Sequence, residues 1–296
     1  MNHWLPAVLL AVFVLSLPFL LSGGVPQIDL AASQPSGVKE PASPADDTTP
    51  APDPGFNPAG NTDQAPQPPS PAPPKGQKVA YLTFDDGPNS HFTEPILDIL
   101  KKHNVVATFF IVGENAALHP HLIERILTEG HAVGNHSYSH VYKSIYASPQ
   151  ALINELDRCN QVLEPFTGHP VKVFRAPGGP SRLTAAMKAS LAEKGYTSIG
   201  WNMTGKDSEP AGITPEILLQ TVIEDLDRVE RLNRTPILLL HDGTQLHSLD
   251  VKEGTPAARY IQNRNSVINA LPDVIKLFHD RGYTFIHADE NTPPAW

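Results

Sequence analysis

Two carboxylates stand side by side at Asp85-Asp86, and two imidazoles lie four residues apart at His136 and His140. Further on come a guanidinium at Arg175 and an imidazole at His241. Adjacent carboxylates repel unless a cation or a proton separates them, so the first pair is either a metal or acid–base device or, with Gly87-Pro88 behind it, a plain turn. Imidazoles at H-x-x-x-H spacing can converge on one metal, from a helix turn or across a tight loop. With a carboxylate they make three ligands and leave a position open for water, the catalytic pattern for zinc. In a chain with 13 histidines such a pair also arises by chance. Arg175 could pair with Asp85 and hold it ionised, and the glycines at 178 and 179 allow a substrate to approach free backbone N–H groups. His241 titrates near neutrality, which suits a general acid, although an ordinary strand cap looks the same.

These groups need elements to bring them together. Residues 79–84 read as a buried strand, 92–103 as a helix, 107–112 as a strand, 119–129 as a helix and 132–135 as a short strand. Ser148-Pro149 reads as the cap and first residue of a helix reaching Leu163. Then follow strand 171–174, helix 184–194 closed by Gly195, and strand 197–200. Thr214-Pro215 opens a helix to about Leu232, followed by strand 236–240, helix 266–281 closed by Gly282, and strand 284–286. About seven strands alternating with helices predict an α/β fold, a parallel sheet closed as a distorted barrel. Chemistry in such folds sits at the C-terminal strand ends. Asp85-Asp86, His136 with His140, Arg175 and His241 all follow strands, and Asp207 lies in the loop after Trp201.

Residues 1–77 are of different material. The run 4–21 is almost wholly apolar, at the lower limit for a bilayer span, and Ser22-Gly23-Gly24 offers small residues for cleavage. No Lys or Arg precedes it and no cysteine follows it, so residues 1–24 are expected to be a cleaved signal or an uncleaved anchor, without a lipid attachment. Of the 31 prolines, 14 fall between Pro26 and Pro74, and Phe56 is the one aromatic of residues 25–77. That composition predicts an extended, disordered linker. The net charge is −9 with no basic stripe, so nucleic acid is not an expected partner. The single cysteine, Cys159, excludes an intrachain disulfide and a multi-thiolate zinc site.

Taken together, Thr83-Phe84-Asp85-Asp86-Gly87-Pro88, His136-Ser137-x-x-His140, Arg175-x-Pro177-x-Gly179 and Leu239-x-His241 resemble the polysaccharide deacetylases of carbohydrate esterase family 4, the NodB-homology domain. The likeness covers residues 78–287, and the domain is expected over 78–290. It implies hydrolysis of N-acetyl groups on an aminosugar polymer, with peptidoglycan GlcNAc or MurNAc the leading substrate and chitin oligomers or poly-GlcNAc the alternative. A non-catalytic glycan-binding module on the same fold is the reading from another class. The likeness also implies a divalent metal, zinc first and cobalt, manganese or nickel as alternatives, bound by Asp86, His136 and His140. Asp85 would be the general base and Arg175 its orienter. His241 would be the general acid, supported by Asp207. The backbone N–H of Gly178 would hold the oxyanion, and Leu239 would line the acetyl-methyl pocket.

Two positions depart from the family pattern. Ser208 stands where a tryptophan often follows the supporting aspartate, so the methyl pocket is either more open or closed by another residue such as Trp201. Gly178 stands where many relatives carry a larger residue, so the substrate wall there should differ. Residues 242–264 are expected to be a loop that selects the sugar. An exported, wall-facing monomer is expected, touching the membrane only if the N-terminal run is uncleaved.

Overall fold

The computed structural model describes residues 76–295 apart from Gln245 and His247. The apolar run and the proline-rich segment through residue 75 lie outside the described residues, and with them the anchor and nearly all of the linker. In the described part, strands and helices alternate: β1 Lys78–Asp85, α1 Thr93–His103, β2 Thr108–Ile111, α2 Gly113–Leu118, α3 Pro120–Thr128, β3 Ala132–Asn135, α4 Tyr142–Ile145, α5 Pro149–Thr167, β4 Val173–Phe174, α6 Ala185–Glu193, β5 Thr197–Ser198, β6 Met203–Thr204, α7 Pro215–Arg231, β7 Ile237–His241, α8 Pro256–Asp280 and β8 Tyr283–Phe285.

All strand pairings are parallel. Seven strands run in the order β5-β4-β3-β2-β1-β7-β6, and β8 pairs with the first three residues of β1. The sheet curls into a distorted (β/α) barrel, as the alternation predicts, and among the described residues no pairing joins β5 to β6. β1 lies central because it is apolar on both faces. Ala80, Leu82 and Phe84 pack outward with Phe109, Leu238 and Leu240 against α1, α7 and α8. Tyr81 turns inward with Phe110, Ile199, Ile237 and Trp201 to fill the barrel. A strand buried on both faces needs this continuous apolar run rather than alternation.

Three features differ from the sequence reading. β6 is an added strand of two residues, too short to carry a pattern of its own. α2 and α4 fall in segments to which the sequence assigns no element. α8 begins at Pro256, ten residues before the expected start, so residues 256–264 of the expected 242–264 loop are helix. Its cap is Thr255, whose Oγ1 accepts from the N–H of Ala258. Thr214 at α7 and Ser148 at α5 do the same and are likewise followed by proline. Each such cap contributes about 1 kcal/mol to its helix.

Candidate metal and catalytic centre

β1 delivers Asp85 inside the barrel mouth, 3 % exposed, and the chain then turns at Asp86 with φ 76°. That left-handed turn presents the second carboxylate beside the first instead of on the opposite face. The backbone there is fixed from outside the strand. Asn115 Nδ2 donates to the carbonyl of Asp86 at 2.7 Å, and Val112 N–H donates to that of Gly87 at 2.9 Å.

β3 ends at Asn135, and the two histidines follow across a tight loop, not a helix turn. Asn135 Oδ1 accepts from the N–H of Ser137, and Glu155 Oε2 on α5 accepts from the N–H groups of Tyr138 and Ser139. This clamp supports Ser137 and His140 in the left-handed region, at φ 70° and 55°. The Nε2 atoms of His136 and His140 lie 3.5 and 3.3 Å from Asp86 Oδ1. One ligand atom from each of the three residues lies within 4.8 Å of the other two, the one such group among the described residues.

The donor chemistry fits a divalent cation. His136 Nδ1 lies 2.8 Å from the carbonyl of Arg175, an oxygen that only accepts, which assigns a proton to Nδ1 and makes Nε2 the atom turned towards Asp86. Burial, only partly opposed by Asp86, pushes His140 down to about 4, so its imidazole is neutral at physiological pH. Burial works against a charged Asp86, but the hydrogen bond to His136 and the surrounding imidazoles hold it far below the usual carboxylate range. A carboxylate with two imidazoles is the donor set that zinc accepts while keeping a position free.

Arg175 is wholly buried, and every polar contact it makes builds the same corner. Nη1 donates to Asp85 Oδ1 at 2.8 Å and to Thr83 Oγ1 at 2.7 Å. Nε and Nη2 donate to the carbonyls of Ile199 and Gly200. The Phe110 ring lies 4.2 Å away, centre to guanidinium carbon. The pair expected from sequence is therefore in place, and Asp85 Oδ2 is left facing His136 Nε2 at 3.7 Å.

On the far side, β7 brings His241 to the rim. Asp207, fully buried, accepts from the His241 backbone N–H on Oδ2 at 2.8 Å and bonds Nδ1 through Oδ1 at 3.0 Å. Burial disfavours the imidazolium, but the Asp207 carboxylate outweighs it, so His241 is raised above the ordinary histidine value. Leu239, two residues earlier on the same face of β7, is buried. Trp201 lies within the barrel, its ring beneath Gly179 and 5.7 Å from the Arg175 guanidinium. Gly178, at φ 69°, is exposed at the rim with its N–H at the turn.

Sequence reasoning missed Arg264 on α8. It is 1 % exposed and joins the two halves of the centre. Nη1 donates to the carbonyl of Asp207 at 2.9 Å, Nε to that of Gly243 at 2.8 Å, and Nη2 lies 3.4 Å from Asp86 Oδ2. The Thr255-Pro256 cap was the available signal, since it starts the helix that carries this residue inward. Glu155 was missed as well. An exposed-looking acid on a helix says nothing of the loop it clamps.

The polysaccharide deacetylase family profile matches residues 72–199. The chain is 31% identical over 219 residues to a chitooligosaccharide deacetylase of Sinorhizobium fredii, covering 73% of this chain and 93% of that one. It is 28% identical over 217 residues to a peptidoglycan-N-acetylglucosamine deacetylase of Bacillus cereus, covering 73% and 89%. Among solved structures, a carbohydrate esterase family 4 enzyme of Streptococcus mutans superposes with a TM-score of 0.60 at 32% identity, over 72% of this chain and 87% of that one.

Proposed function

Because the chain belongs to the polysaccharide deacetylases of carbohydrate esterase family 4 and is an N-deacetylase, we propose that it hydrolyses N-acetyl groups on aminosugars of a cell-wall polysaccharide, peptidoglycan, and releases acetate. One observation carries the reading. The ligand atoms of Asp86, His136 and His140 converge within 4.8 Å, between an arginine-held carboxylate and an aspartate-held imidazole. That is a metal seat flanked by a base and an acid.

A divalent ion on those three residues, zinc by preference, would lower the pKa of a water and polarise the acetamide carbonyl. The chain's own residues do the rest. Asp85, paired with Arg175 and free of the ligand set, takes a proton from the attacking water. The N–H of Gly178 donates to the oxygen that gains charge. His241, protonated and oriented by Asp207, gives a proton to the departing nitrogen, so the sugar leaves with a free amine. Leu239 walls the acetyl methyl, with Trp201 lying deeper beside Arg175.

Residues 78–290 act as the deacetylase domain in this reading. The run 4–21 and the proline-rich stretch support an exported, tethered enzyme whose domain reaches a wall polymer. Likeness to a chitooligosaccharide deacetylase favours a second reading, short GlcNAc oligomers as substrate. Acetate release by the zinc-loaded chain from peptidoglycan and from chitin oligomers, with Asp85→Asn as control, tests both. Release from the wall polymer that the variant lacks supports the first reading, and release from the oligomers alone supports the second. Release from neither refutes both.

A further inference from the structure

The space beside Gly178 is not empty. A Cβ added there would lie 2.5 Å from Arg182 Nε and 3.0 Å from the Tyr142 hydroxyl. Two other elements have taken the place of a side chain at this position. Tyr142 comes from α4, just past the ligand loop, with its ring 5.4 Å from that of His140. Arg182 comes from the short 3-10 turn Pro180–Arg182. Its guanidinium carbon lies 4.4 Å from the centre of the Tyr142 ring and 5.9 Å from that of Tyr146. Tyr146 donates its hydroxyl to the carbonyl of Pro177 at 2.6 Å, which ties the aromatic pair to the Arg175–Gly179 loop.

Arg182 is exposed, and among the described residues it forms no ion pair with a carboxylate. Packing alone does not call for a cation here. A guanidinium lying on an aromatic face keeps its edge donors free and its plane oriented, the state suited to gripping a carboxylate with two parallel hydrogen bonds. It lies about one side chain from the N–H proposed to hold the oxyanion. A partner bound at the acetamido group would therefore bring its neighbouring ring substituent to this arginine.

We propose that Arg182, held on Tyr142, is a specificity residue for a carboxylate that the substrate carries on the ring carbon next to the reacting acetamido group. This deepens the proposed function and rests on it. GlcNAc has only a hydroxyl at that carbon. An aminosugar with a carboxyalkyl ether there, as in MurNAc, presents the anion at the right place. The sugar deacetylated in the wall polymer is then the acidic one of its repeat.

The test uses the full, zinc-loaded chain and three substrates. These are a peptide-free glycan of alternating GlcNAc and MurNAc, the same glycan with its carboxylates converted to methyl amides, and a chitin tetramer. The wild type should have a kcat/KM for the acidic glycan about tenfold or more above that for its methyl amide, the scale of one charge-assisted hydrogen bond. Added salt should erode the preference, and the new free amines should appear on muramic acid. In Arg182→Gln the ratio between the two glycans should fall to near one, and in Arg182→Lys it should fall part of the way. Equal rates on the acidic and amidated glycans, or a ratio that survives Arg182→Gln, overturn the carboxylate subsite and leave the deacetylase reading standing. No acetate from any of the three overturns both.

Discussion

Replacing Asp207 with asparagine removes one charge while keeping the volume. Two donors use its carboxylate, the His241 backbone N–H at 2.8 Å and Nδ1 at 3.0 Å, one on each oxygen. Asparagine has one acceptor oxygen, so one donor must meet an amide NH2. If the oxygen stays on Nδ1, a charge-assisted bond becomes a neutral one, a loss of about 1–1.5 kcal/mol, or about one pKa unit. Burial, the largest influence on His241 and a depressing one, is then less opposed. If the NH2 turns to Nδ1 instead, the imidazolium is disfavoured outright and general-acid catalysis, worth about 100-fold or more, is lost. Acetate release measured between about pH 5 and 9 should show kcat/KM about 100-fold lower near neutrality, with the alkaline limb moved about one unit or more towards acid.

The signs for stability follow from the same pair. His241 is raised in the fold, so its share of the pairing is complete below the unfolded histidine value and fades as pH climbs through the folded one. Asp207 is lowered, against burial, by His241 and Arg264, so its share is complete above the unfolded carboxylate value and fades in acid. The stability cost of Asp207→Asn should therefore be greatest between those values. Superimposable alkaline limbs in wild type and variant would refute the assignment of His241 as an acid poised by Asp207.

Three other outcomes are expected. Asp85→Asn should keep its zinc, measured by titration calorimetry, while kcat falls about 100-fold or more; loss of zinc together with activity would place Asp85 among the ligands. Dialysis against a chelator should stop acetate release and leave the far-ultraviolet circular dichroism unchanged, with zinc or cobalt restoring activity; full activity in the chelated enzyme would contradict the metal seat. Arg264→Met should lower the urea-unfolding free energy by about 3–5 kcal/mol, because it strands buried carboxylates without their cation; an unchanged midpoint would remove Arg264 from the centre.

The strand ends were legible from sequence because each consists of an apolar run that stops at a charged residue. Leu238-Leu239-Leu240-His241 and Thr83-Phe84-Asp85 need no tertiary context to be read, and the parallel order follows from the helices between them. Ser148 and Thr214 announced α5 and α7 because a hydroxyl cap before proline is a local signal. Thr255-Pro256 carries the same signal. The polar face of α8 obscured it, since Arg259, Gln262 and Arg264 break the apolar spacing until Val267. Met203-Thr204 could not be read as strand because two residues have no period. The clamp by Glu155, and the filling of the Gly178 position by Tyr142 and Arg182, are contacts between distant elements. No spacing rule reaches them, even though the bare glycine at 178 marks the place.

Arg264 reaches Asp86 across 178 positions of chain, and β1 finds its β7 neighbour only after residue 237 has been made. A growing polypeptide therefore has its first carboxylates long before it has the strand, the acid or the cation that complete the centre. Contacts this remote in sequence are late and slow to form. Until synthesis passes residue 241, the chain is a set of βα units with an exposed edge on β1, and it needs protection from pairing with other chains. Activity thus reports that the C-terminal part of the domain has docked, and any truncation that removes α8 should yield a hydrolytically silent protein, whatever motifs it retains.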